Sequence, residues 1–158
     1  MVWMKRRDGT SHPHIHDTIR GGTNYLLTNS NGAAGTDNGY HINTFNNNGF
    51  TLQNSGGGTN ANGGTYTSWN FKSAPGFFDV VTYTGNGTNR TIAHSLGSVP
   101  GFYMIKRLNA TSDWLCFHRE FLTGNHYTVL NSNAAMVSES DVAQNTRPTK
   151  SVFSVGTD

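Results

Sequence analysis

The chain repeats itself, and the repeat limits the folds open to it. Met4-Lys5-Arg6 returns as Ile105-Lys106-Arg107, and Asn29-Ser30-Asn31 returns as Asn131-Ser132-Asn133, with Tyr25 and Tyr127 at matching places. Phe50-Thr51-Leu52 returns as Phe153-Ser154-Val155 after one more inserted residue. The matches fall in the same order and stay about one hundred residues apart, the size of a β-sandwich domain. We therefore expect two related units, residues 1–74 and 75–158. The segment 75–100 opens the second copy, yet nothing equivalent precedes Met1. The segment 65–72 closes the first copy, yet no counterpart precedes Asp158. This pattern is expected of a window from a longer repetitive polypeptide, or of a subunit whose missing strands a neighbour supplies. Open sheet edges make strand addition the physical route for the second.

Composition sets the class of unit. Charged residues are 13% of the chain and hydrophobic residues 34%, where globular chains carry about 25% and about 45–50%. Gly, Asn, Thr and Ser fill the difference, while aromatics stay at 11%. Disordered chains show the opposite balance, few aromatics and many charges. Many short strands joined by turns fit this composition, so the fold class is all-β, built of two related antiparallel β-sandwich units, with strands from neighbouring subunits as a means of completing them. Net charge is +2 and the basic residues are scattered, which offers nucleic acid no phosphate-tracking stripe. No apolar run reaches the length of a membrane span, so membrane insertion is not expected. The single cysteine, Cys116, has no internal disulfide partner. Stability must come from packing or from oligomerisation.

Runs of β-branched and aromatic residues bounded by Gly, Asn, Asp or Pro predict strands at 2–6, 14–19, 25–28, 50–53, 65–72, 77–84, 90–94, 102–108, 114–119, 126–130 and 152–155. The segment 77–84 is the strongest of them, and Gly85-Asn86-Gly87 turns it into the next. A turn or short helix is expected around 134–143. The tracts 28–39 and 55–64 read as soft surface loops.

The residues that carry this pattern are similar to a known family. Val2-Trp3-Met4-Lys5-Arg6-Arg7 with His16-Asp17-Thr18-Ile19-Arg20-Gly21, and Gly49-Phe50-Thr51-Leu52, resemble a tandem repeat module of tail-fibre and virion structural proteins of marine bacteriophages. So do Thr65 through Lys72, and Pro75-Gly76-Phe77-Phe78-Asp79-Val80-Val81-Thr82-Tyr83-Thr84-Gly85-Asn86-Gly87. The continuation Thr91 through Gly97 and Val99 through Arg107 extends the likeness over nearly the whole chain. His16 departs from it, standing where the module more often has an aromatic residue. The resemblance implies a virion location and a structural part in an appendage such as a tail fibre, horn or capsid decoration. The expected partners are further copies of the chain or other virion proteins, with a host-surface glycan as a further ligand. It implies no catalytic residue.

A few single residues invite a chemical reading. His12, His14 and His16 alternate, so on an extended strand they would share one face and could offer imidazoles to a metal. Pro13 and a merely polar strand face argue the other way, and no metal or cofactor is expected. Cys116 with His118 makes neighbours rather than a nucleophile, base and orienter, and Cys116 reads as a core or interface residue. Glu120, Glu139 and Asp141 lack a glycosidase context. Asp17 and Asp79 read as turn or strand-edge residues. Trp3, Trp69 and Trp114 are candidates to stack on sugars. The expectation is a non-enzymatic structural or adhesion protein, with a glycan-binding adhesin module as the alternative and a polysaccharide depolymerase as the weaker one.

Overall fold

The computed structural model describes residues 1–36, 41–53, 56 and 58–157. It is all-β, with several antiparallel sheets and one short helix. The chain forms two compact units. The first comprises Met1–Lys72 with Arg107–Asp113, and the second Ser73–Lys106 with Trp114–Asp158.

In the first unit, β1 (Val2–Arg6), β2 (His14–Asp17), β3 (Gly21–Leu27) and β4 (Gly35–Thr36) form an antiparallel meander. A hairpin of β5 (Ile42–Asn46) and β6 (Gly49–Leu52) follows, and β7 (Tyr66–Asn70) returns to pair with β1. The sheet order is β4-β3-β2-β1-β7. Val2 and Met4 point from β1 into a core with Ile42, joined by Phe45, Phe50 and Leu52 of the hairpin. Alternation along β1 thus gives one face to the core and leaves Trp3 on the other. The segment 107–113 is tied to this unit by Ala34 N–H donating to the Leu108 carbonyl (2.8 Å) and Ser112 N–H to the Asn31 carbonyl (2.9 Å).

The second unit holds β8 (Arg90–Ala93), β9 (Phe102–Ile105), β10 (Leu115–His118), β11 (His126–Val129), β12 (Val137–Ser138), helix α1 (Ser140–Ala143) and β13 (Val152–Val155). Its main sheet runs β12-β11-β10-β9, and β13 pairs with β8. Phe117, Tyr127, Val142 and Ala143 make the core, with Tyr103, Ile105, Leu115, Val129 and Val137 packed around them. Helix α1 lies against β13, where Gly156 N–H donates to the Val142 carbonyl (2.7 Å).

The two meanders share one register. Val2↔His16, Trp3↔Ile15 and Met4↔His14 correspond to Tyr103↔Phe117, Met104↔Cys116 and Ile105↔Leu115, each shifted by about one hundred residues. His14↔Leu27 and Ile15↔Leu26 correspond to Leu115↔Val129 and Cys116↔Thr128. Asn24↔Thr36 and Tyr25↔Gly35 correspond to His126↔Ser138 and Tyr127↔Val137. Cross-strand geometry repeats even where the side chains differ.

Two sequence expectations require correction. The segment 77–84 is not a strand. A turn occupies 75–77, Ala74 and Phe78 form an isolated bridge, and the rest lies outside any ladder. Its β-propensity is local, whereas a strand needs a partner edge. The strands β4, β5 and β12 are additional to those expected, since short or Asn-rich stretches carry little apolar alternation. Most other predicted strands stand within two or three residues of their expected ends, apart from β3, which begins four residues early. Residues 37–39 of one predicted loop, and 55 and 57 of the other, lie outside the described residues.

A side chain at Gly156 would collide with the Asp141 carbonyl of α1. Backbone cannot yield as a flexible side chain does, so Gly156→Ala should destabilise the second unit by about 1–3 kcal/mol. Urea unfolding followed by Trp fluorescence should show the lowered midpoint.

Candidate functional site

The densest grouping of chemically versatile side chains lies in the first unit. β2 is buried along all four residues. His14 and His16 project from it by strand alternation, and they meet Tyr25 of β3 and His41, which immediately precedes β5. The His41 ring is 5.1 Å from both other imidazoles and 4.4 Å from Tyr25, while His14 and His16 stack 6.2 Å apart. His14 and His41 are each 7% exposed and His16 is fully buried. Gly58 covers the His14 ring so closely that a Cβ there would stand 2.5 Å from Cε1.

Burial sets the charge state of the two histidines on β2. Desolvation, followed by repulsion from His41, brings His14 down to about 4. Desolvation also brings His16 to about 4, opposed by its bond to the Gly22 carbonyl and reinforced by His41. Both imidazoles are therefore neutral near pH 7. His16 Nδ1–H donates to the Gly22 carbonyl at 2.7 Å, which fixes the tautomer and leaves Nε2 as a buried lone pair with no partner among the described residues. Among those residues, no group of three or more His, Cys, Asp or Glu side chains is placed to hold a metal ion.

The alternating row His12, His14, His16 is not one face. His12 precedes β2, is exposed, and donates to Asn29 Oδ1 (3.0 Å). His41, more than twenty residues away, joins the other two instead. A lone His in an Asn-rich stretch gives no sequence signal for that. The positions of His14, His16 and Tyr25 are held in the second unit by Leu115, Phe117 and Tyr127, closed by Val142 and Ala143. The same meander is thus built there around an apolar cluster.

The remaining sequence candidates are dispersed. Cys116 is buried and unpaired, and desolvation pushes its thiol up to about 11, so thiolate is scarce near neutrality. His118 is exposed and accepts the Glu120 N–H (3.2 Å). Asp17 is buried in a turn, accepting from Ile19 and Arg20 N–H (3.0 and 2.8 Å) and pairing with the Arg20 guanidinium (2.5 Å). Asp79 accepts from Val80 and Ser95 N–H. Glu139 accepts the Tyr127 hydroxyl (2.8 Å), Glu120 pairs with Arg119 at the surface, and Asp141 lies in the first turn of α1. Trp114 is core at 4% exposure. Trp3 and Trp69 pair across β1 and β7 with ring centroids 5.7 Å apart, and Trp69 is 50% exposed. A groove in the second unit, lined by Tyr103, His118, Arg119, His126 and Arg147 among others, is shallow. Arg147 is occupied there in holding the Arg119, Phe121 and Leu122 carbonyls.

A family model described as a domain of unknown function (DUF7483) matches residues 1–158. No curated protein and no solved structure matches the chain.

The histidine cluster makes the first unit acid-sensitive. His14 and His16 have folded values below the ordinary 6.5, so the unfolded chain binds protons that the folded chain refuses. Stability is complete above pH 6.5 and falls as pH drops from there towards about 4, by a few kcal/mol for the pair. Urea midpoints at pH 7.5, 6 and 5 should fall in that order. His14→Leu, which installs the second unit's residue, should flatten the slope.

Proposed function

We propose, from the premise that the chain belongs to the DUF7483 family over its whole length, that it is a structural component of a phage virion appendage. It acts by repetitive assembly and without catalysis. The observation that carries this reading is the shared register of the two meanders. A chain that builds the same four-stranded meander twice, with corresponding cross-strand partners and different side chains, is organised as a repeating element. Low charge, turn-rich connections and the likeness to the virion repeat module point the same way. The role needs no cofactor, and its partners are further copies of the chain or other virion proteins. Mass spectrometry and immunogold labelling of purified particles test it. The expected result is the chain at many copies per particle on a tail or capsid projection, and its absence from particles would overturn the reading.

A second role is favoured by the Trp3–Trp69 pair. An exposed indole on a rigid strand, beside a second indole, is a stacking platform for a sugar ring, and host-surface glycan is the ligand class it fits. Trp69→Ala should reduce retention on host polysaccharide at least tenfold without altering the melting curve. A flat profile for the parent chain across host glycans would remove the adhesin role.

A further inference from the structure

Two parts of the second unit are incomplete in complementary ways. The first is a sheet edge. β1 and β9 hold the same place in their meanders, but β1 carries β7 on its outer side, from Val2↔Asn70 to Arg6↔Tyr66. Among the described strands, β9 pairs with β10 alone. Its sequence, Phe-Tyr-Met-Ile, contains no charge, and Phe102 is 53% exposed. Uncharged open edges are what proteins normally guard against pairing, and here the charges of Lys106 and Arg107 stand only beyond the strand's end.

The second is a strand-forming sequence without a sheet. Residues 79–84 read Asp-Val-Val-Thr-Tyr-Thr, rich in β-branched and aromatic residues. The backbone groups of Val81, Thr82 and Tyr83 make no hydrogen bond to any described residue. Val81 is 37% and Tyr83 39% exposed. The segment is nevertheless anchored at both ends. The Asp79 carboxylate accepts the Ser95 N–H (2.7 Å). The Tyr83 ring meets Phe153 edge-on at 6.1 Å and lies under the Arg90 guanidinium, which also donates to the Thr84 carbonyl. Anchoring reduces the entropy lost when such a segment pairs. The Thr-Tyr-Thr tripeptide that ends it, at 82–84, also leads into β7 at 65–67.

We propose that residues 79–84 of one copy add as a strand to the open β9 edge of a second copy, in the place that β7 holds on β1. Main-chain hydrogen bonds supply the affinity, as in other strand additions. Donor and acceptor are different surfaces, so the contact is heterologous and propagates from copy to copy unless a ring closes. The proposal rests on the assembly reading above and names its contact.

Sedimentation velocity of the full chain over a range of concentrations tests it, with Val81→Pro and Thr82→Pro examined separately. Adjacent amides point to opposite sides of a strand, so one of the two removes a donor from the paired side. Neither amide has a partner among the described residues, so melting curves should stay unchanged. The parent chain is expected to self-associate, at least one Pro variant to weaken association tenfold or more, and Phe102→Lys to do the same from the acceptor side. A parent that stays monomeric at every concentration, or Pro variants that both associate like the parent, would overturn the proposal. Weakening by proline but not by Phe102→Lys would overturn the assignment of β9. Copies on virions with unaffected Pro variants would leave the virion reading standing and remove this contact. Loss of association in a chain absent from particles would do the reverse.

Discussion

The register of the inner strands β2 and β10 is the constraint on which both units depend. Each of these strands is hydrogen-bonded on both sides, and β2 is covered along its whole length. Sliding either by one residue would turn every side chain to the opposite face of its sheet, driving Ile15 or Cys116 to where His14 or Leu115 now stands. The two copies differ in every side chain of these strands, yet over the first three residues of each strand their cross-strand partners correspond. Geometry is fixed by the ladder and the pleat, while chemistry at a given position is free to change if the replacement fills similar space.

The first unit uses that freedom. Imidazoles replace Leu115 and Phe117 in an interior that the second unit keeps apolar. A buried polar group costs free energy unless it is hydrogen-bonded, and although His16 donates to the Gly22 carbonyl, His14 Nδ1 and His16 Nε2 are buried with no partner among the described residues. The pair is tolerable because desolvation keeps His14 and His16 uncharged. Local backbone is shaped around it. Gly22 passes so close to the Ile42 carbonyl that a side chain there would collide with it, and Gly58 lies flat on His14. The described part of the Gly-rich tract is therefore in part a covering for the cluster, and Thr59, beside Gly58, is 2% exposed.

Edges separate the two units more than cores do. β7 closes one side of the first sheet and places Trp69 beside Trp3 on the face away from the core. In the second unit no described strand pairs with the matching side of β9, and the most strand-prone segment of the chain runs outside every described ladder. An open edge and an unpaired strand-former within one unit connect the repeat seen in the fold to assembly, because backbone groups satisfied by water in an isolated copy can be satisfied by another chain instead.

The all-β class and ten of the thirteen described strands were legible in the residues, because alternation and turn chemistry are local signals. Asp17 as a turn residue and Cys116 as a core residue were legible for the same reason. The histidine site was legible only in half. Spacing put His14 and His16 on one strand face, but His12 lies before the strand begins, and His41 arrives from a stretch with no pattern of its own. The segment 77–84 shows the converse error, a strong local preference that beyond the Ala74–Phe78 bridge joins no ladder among the described residues. Sequence by itself determined which segments could be strands. Tertiary structure decided which of them became strands and which imidazoles met, because a strand exists only through the edge it pairs with, and residues distant in the chain become neighbours only through the register of the strands between them.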